Sequence, residues 1–159
     1  MKTKVLHYII LPMILTPLFA VTGCGGNAPA DNPDSSQADM ATLEKEIEIR
    51  IRQYENYLVI GDSVGLGNMY MEDAEIIPSI SGRENIVKII GGMIRDSIVG
   101  NFETTNLWGN NDILVEEGKG VWSYKNGQIA SSGKYLLVWT KDAGEWKILR
   151  DTWFPDKKK

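Results

Sequence analysis

The chain has 159 residues, with 17 Lys+Arg, 21 Asp+Glu, one Cys and one His, for a formal net charge of −4. That length predicts one domain, and a single cysteine excludes both an internal disulfide framework and Cys-rich zinc or iron–sulfur sites, which need several thiolates. With 43% hydrophobic and 24% charged residues, and with five Trp, six Tyr and three Phe, the composition is that of a folded domain and excludes extended disorder.

At the start of the chain, Lys2 and Lys4 precede the apolar run Tyr8 to Val21, which leads into Thr22-Gly23-Cys24. A charged region, a short apolar core and small residues make a secretory signal. The run is shorter than the roughly 20 residues of a spanning helix and carries Pro12 and Pro17. Val21-Thr22-Gly23-Cys24 resembles the bacterial lipobox. The resemblance implies a signal peptide over residues 1–23, cleavage before Cys24, fatty acylation of Cys24, and a membrane lipid of the cell envelope as partner; an ordinary signal with an incidental cysteine is the alternative reading. Residues 1–23 hold Lys2, Lys4, the lone His7 and no acid, so their removal leaves a net charge of −6 and no histidine. Histidine-dependent triads and His-ligated metal sites are then excluded, and the acidic balance argues against nucleic acid. No metal and no cofactor are expected; Gly91-Gly92 lacks the context of a phosphate loop.

Residues 24–39, rich in Gly, Pro, Asn, Asp and Ser, read as a lipidated flexible tether spanning roughly 20 Å. A folded domain is expected over residues 40–156. From Met40 to Ile60, Leu43, Ile47, Ile51, Tyr54 and Leu58 recur at helical spacing. Gly61 ends this helix, and Asp62 is placed to cap a second, short helix through Tyr70, weakened by Gly65 and Gly67. Ala74 to Ile77 reads as a strand stopped by Pro78, and Ser81-Gly82-Arg83-Glu84 has the spacing of a capping box for a third helix with Ile86, Ile89, Ile90, Met93 and Ile94 on its inner face. After Gly100 the period becomes two, with Phe102, Thr104, Asn106 and Trp108 on one face. Turn signals, of which Asn126-Gly127 is the strongest, then divide strands at Asn101 to Trp108, Ile113 to Tyr124, Gln128 to Trp139 and Glu145 to Phe154. Helices first and strands afterwards predict an α+β fold, three N-terminal helices packed on a curved antiparallel sheet.

Four local matches, Tyr54 with Gly61-Asp62, Met69 to Ala74, Gly82 to Ile86, and the closing Trp146-Lys147-Ile148-Leu149-Arg150-Asp151-Thr152-Trp153, resemble the nuclear transport factor 2-like superfamily over about Leu43 to Phe154. The nearest likeness is to its uncharacterised SnoaL-like branch. The resemblance implies a cone-shaped fold with an apolar interior. It also matches Tyr54 to the tyrosine that donates to the enolate in ketosteroid isomerases. Ile77-Pro78 stands where those enzymes carry the general base, and their second donor falls near Leu137, so steroid isomerisation by that route is not expected; nor is the histidine-dependent dehydration known in the family.

On the last strand Leu149, Asp151 and Trp153 are expected to share one face, and Trp146, Ile148, Arg150 and Thr152 the other. A carboxylate among apolar neighbours is either hydrogen-bonded structurally or held at a raised pKa for acid–base work. The candidate catalytic residues are therefore Tyr54 and Asp151, in a pocket lined by Tyr54, Tyr70, Trp108, Asp151 and Trp153. Two classes of function stay open: a module that binds, or binds and transforms, a small apolar or aromatic molecule, and a non-enzymatic module that forms a homodimer or docks through its sheet face.

Overall fold

The computed structural model describes residues 33–157, so the signal, the lipobox and residues 24–32 of the tether lie outside the described residues. Helix α1 (Pro33–Ile60) begins ahead of the expected Met40. Proline suits the first helical position, where an N–H would find no partner in the helix anyway. The buried stripe is the one the spacing requires: Leu43, Ile47, Ile51, Tyr54 and Leu58 are all in the core. Gly61, at φ +81°, ends α1, and Asp62 Oδ1 accepts from the Gly65 N–H at 2.7 Å to start α2 (Ser63–Gly67), which stops short of Tyr70. The two glycines that weaken α2 are points of close approach. A Cβ on Gly65 would lie 2.5 Å from the Tyr57 ring, and one on Gly67 2.2 Å from Val87.

Strand β1 (Tyr70–Ile76) starts earlier than expected and turns back into β2 (Ile80–Ser81). The capping box before α3 (Arg83–Arg95) does not form. Ser81 is still in β2, paired with Glu75, so the N-cap position passes to Gly82 at φ +84°, and the Ser81 carbonyl accepts from Asn85 Nδ2 at 2.9 Å. On α3 Ile86 and Ile90 are buried, while Ile89 is 43% exposed.

Four long strands follow, β3 (Ile98–Gly109), β4 (Ile113–Tyr124), β5 (Ile129–Asp142) and β6 (Glu145–Pro155). The sheet order is β2-β1-β6-β5-β4-β3. β1 lies parallel to β6 and every other pair is antiparallel, so the curved, unclosed sheet is mixed, which corrects the expectation of a purely antiparallel one. The first and last strands of the domain meet in the middle of the sheet, and a parallel pair needs the long intervening connection that α3 and the meander provide.

Two bulges decide which side chains face inward. Thr105 is an extra residue in β3, because Thr104 pairs with Gly118 but Asn106 with Glu117. Leu149 is an extra residue in β6, because Trp139 pairs with Ile148 but Val138 with Arg150. A one-residue insertion moves every later side chain to the opposite face. Phe102, Thr104 and Leu107 therefore share the inner face of β3, and Asn106 and Trp108 lie on the outer one. On β6 the inner face carries Ile148, then Asp151 and Trp153. The free edge of β3 is covered by α1: Glu55 accepts from the Phe102 N–H at 2.7 Å, and Arg52 donates to the Phe102 carbonyl.

Candidate functional site

Between the helices and the inner face of the sheet lies a cavity of about 220 Å³. Its wall is assembled from every layer: Ile51 and Tyr54 of α1, Ile76 and Ile80 of β1 and β2, Ile89, Ile90 and Met93 of α3, Phe102 of β3, Trp122 of β4, Tyr135 and Leu137 of β5, and Asp151 and Trp153 of β6. Ile89, part buried and part exposed, stands at the opening. Among the described residues, Asp151 is the only charged one in that wall.

The polar groups form two hydrogen-bonded sets. In the first, Tyr70 Oη donates to Asp151 Oδ2 at 2.7 Å, and the Tyr54 and Tyr70 hydroxyls are 3.4 Å apart. Tyr70 has one proton and gives it to the carboxylate, so Tyr54 is the donor to Tyr70. Burial raises the Asp151 pKa to about 6, and the negative charge of Glu116 adds to the rise while the Tyr70 hydrogen bond opposes it. Burial, reinforced by Asp151, also pushes both phenols above their ordinary range, so they remain donors at any physiological pH.

The second set centres on Glu116 of β4, whose side chain is fully buried. Its Oε1 accepts from Thr104 Oγ1 at 2.6 Å and from Tyr135 Oη at 2.7 Å, and its Oε2 accepts from Trp139 Nε1 at 2.8 Å. Burial raises its pKa, and these three donors and the Arg52 charge act against the rise. Tyr135 thus belongs to both the cavity wall and this network.

Room for the rings is made by glycine. A Cβ on Gly118 would come within 2.0 Å of the Tyr135 ring, and one on Gly120 within 2.4 Å of Phe102. The rings of Phe102 and Trp122 (centroids 4.9 Å), Phe102 and Tyr135 (5.7 Å), and Tyr54 and Phe102 (5.8 Å) then meet edge to face.

Of the five residues expected to form the pocket, Tyr54, Asp151 and Trp153 line the cavity, and Tyr70 stands behind Asp151 as its donor, wholly buried. Trp108 does not line it: the Thr105 bulge puts it on the outer face, 49% exposed. The expected grouping of Leu149 with Asp151 is likewise broken by the Leu149 bulge. Glu116, Phe102, Trp122 and Tyr135 were not singled out as site residues from the sequence. Period two from Leu114 to Trp122 would have found the glutamate, because it puts Glu116 on the face of those two apolar residues. Leu137, the position matched to the isomerases' second donor, pairs directly with Asp151 on the neighbouring strand.

Several solved structures share this architecture. A protein of unknown function from Mycobacterium tuberculosis superposes with a TM-score of 0.65 at 22% identity, over 81% of this chain and 79% of its own. A nuclear transport factor 2-like protein with a cystatin-like fold from Novosphingobium aromaticivorans gives 0.61 at 17% identity, over 78% and 90% of the two chains. This chain has the nuclear transport factor 2-like fold. ActVI-ORFA of Streptomyces coelicolor shares that fold too, with a TM-score of 0.58 at 14% identity over 72% of this chain and 95% of its own. No family model and no curated protein sequence matches the chain. At these identities the nuclear transport factor 2-like likeness establishes the fold alone, and function rests on the cavity.

Proposed function

We propose that this chain is a lipid-anchored, SnoaL-like binding module of the bacterial cell envelope whose cavity takes a compact, largely apolar molecule and holds its one polar end at Asp151. The observation that carries this reading is a single carboxylate set in an otherwise apolar and aromatic wall, the composition of a small-molecule site. Asp151 also has the features of a proton acceptor: it is mostly ionised at neutral pH, and the phenol chain from Tyr54 through Tyr70 steadies its charge. Catalysis, if the ligand carries an acidic C–H or O–H at that end, would start there. Closing the opening with Ile89→Trp should abolish binding of small aromatic probes, read by ligand-detected NMR, while leaving the fold intact; unchanged binding would place the ligand elsewhere.

The anchor is carried by the lipobox resemblance of Val21 to Cys24. Cys24→Ser should move the protein from the membrane to the soluble fraction and abolish fatty-acid labelling, and labelling that persists would refute the anchor. Among the described residues no helix is long and apolar enough to cross a membrane.

A second reading, homodimerisation through the sheet, is favoured by the outer face. Trp108 is 49% exposed there beside Val115, and Phe154 is 55% exposed. Trp108→Glu would then shift the sedimentation of the protein to the monomer.

A further inference from the structure

We propose that the molecule held in this cavity is an organic cation, an amine or quaternary ammonium on a small apolar body, with its positive head against Asp151 and the surrounding aromatic rings. The inference deepens the binding reading above and depends on it.

Charge is the first ground. Among the described residues no Lys or Arg forms an ion pair with Asp151, and the one hydrogen-bond donor to its carboxylate is Tyr70. Its neighbour Arg150 is turned away by the β6 pleat and pairs with Glu75 at 3.6 Å. A carboxylate withdrawn from water without a cation is costly, and such groups in folded proteins are ordinarily paired. A ligand that brings the cation supplies the missing partner.

The supply of donors is the second ground. Tyr54 donates to Tyr70, Tyr70 to Asp151, Tyr135 to Glu116 at 2.7 Å, and Trp153 Nε1 reaches Ser131 Oγ at 3.4 Å. Only the indole N–H of Trp122 is left, among the lining side chains, without a bond among the described residues. An anion or an enolate needs several convergent donors. This wall instead offers an acceptor with a negative charge.

Aromatic lining is the third ground. Tyr54, Phe102, Trp122, Tyr135 and Trp153 come from five different elements and surround one space of about 220 Å³. Ring faces carry negative electrostatic potential and attract a desolvated cation, most strongly for Trp. Two Trp, two Tyr and one Phe share this wall with one carboxylate, and the aliphatic remainder, from Ile51 to Leu137, suits the apolar body of such a ligand.

The test is a matched set of probes on the full-length protein, followed by quenching of Trp122 and Trp153 fluorescence: benzyltrimethylammonium, its neutral isostere neopentylbenzene, and the anion benzylsulfonate. The proposal expects the cation to bind at least tenfold more tightly than the neutral compound and the anion not at all. Asp151→Asn should cost the cation on the order of 30-fold, the scale of unpairing one member of a buried charge pair, and leave the neutral probe unchanged. Trp122→Leu, which spares Asp151, should also weaken the cation more than the isostere. If the neutral probe binds wild-type protein as tightly as the cation, the cation proposal fails while the binding reading stands. If neither binds, both fail. Because the comparison among the three probes uses wild-type protein, it decides the matter even if a variant does not fold.

Discussion

Two carboxylates stand in one cross-strand row of the inner sheet, Glu116 on β4 and Asp151 on β6, separated by Leu137 of β5, which pairs with both. Burial raises the pKa of each. What separates them is the donor count: Glu116 accepts three hydrogen bonds from side chains of β3 and β5, and Asp151 accepts one. A buried carboxylate whose lone pairs are filled ties strands together, and one left partly unfilled on a cavity wall is open to a ligand. The same residue chemistry thus serves structure at one place and recognition two strands away.

The largest effect that would break this contrast is expected at Glu116. Glu116→Ala strands the hydroxyls of Thr104 and Tyr135 and the indole N–H of Trp139, and at about 1–3 kcal/mol for each buried donor it should cost 3 kcal/mol or more in denaturant unfolding. A loss below 1 kcal/mol would mean that the network does not hold the sheet.

Asp151→Asn should act in the opposite direction. The folded-state pKa of about 6 lies above the unfolded value, so native protein holds this proton more tightly, and stability falls as pH rises from about 4 to about 6. At about 1.4 kcal/mol per unit, the ionised group costs up to about 3 kcal/mol above that window. The variant should therefore be as stable as wild type at pH 4 and up to about 3 kcal/mol more stable at pH 8. Destabilisation at pH 8 would make Asp151 a structural residue like Glu116.

Gly118→Ala sharpens the link between the two sites. The added methyl displaces the Tyr135 ring, which both lines the cavity and donates to Glu116, so a loss of about 1–3 kcal/mol should accompany weaker ligand binding. Smallest of all, Trp108→Ser should change stability by no more than about 0.5 kcal/mol and leave probe binding unaltered, because Trp108 lies on the outer face.

Much of this molecule is readable from the chain itself. The α1 stripe from Leu43 to Leu58 follows from helical spacing, the strands from their turns, and Tyr54 and Asp151 from their matches and apolar neighbours. What escaped has three separate causes. Bulges at Thr105 and Leu149 carry no compositional mark, yet each inverts the alternation beyond it, which moved Trp108 out and brought Asp151 onto the same face as Ile148. The parallel β1–β6 pair joins segments more than 70 residues apart, such as Tyr70 and Ile148, and no local pattern encodes that contact. Glu116 is legible only once strand parity is applied from Leu114 to Trp122, because its neighbour Glu117 is an acid on the opposite face.

The central claim is that Asp151 is an unpaired, titratable carboxylate awaiting a positive partner. Among the described residues, the titratable groups around it are Tyr54 of α1, Tyr70 of β1, Glu116 of β4 and, in the same cavity wall, Tyr135 of β5. Carbon-detected NMR of the Asp151 carboxyl, followed against pH with and without saturating benzyltrimethylammonium, tests this directly. The account expects titration near pH 6 in free protein and a fall of at least one unit when the cation is bound. Titration near pH 4 in free protein, or a midpoint indifferent to the cation, would contradict it.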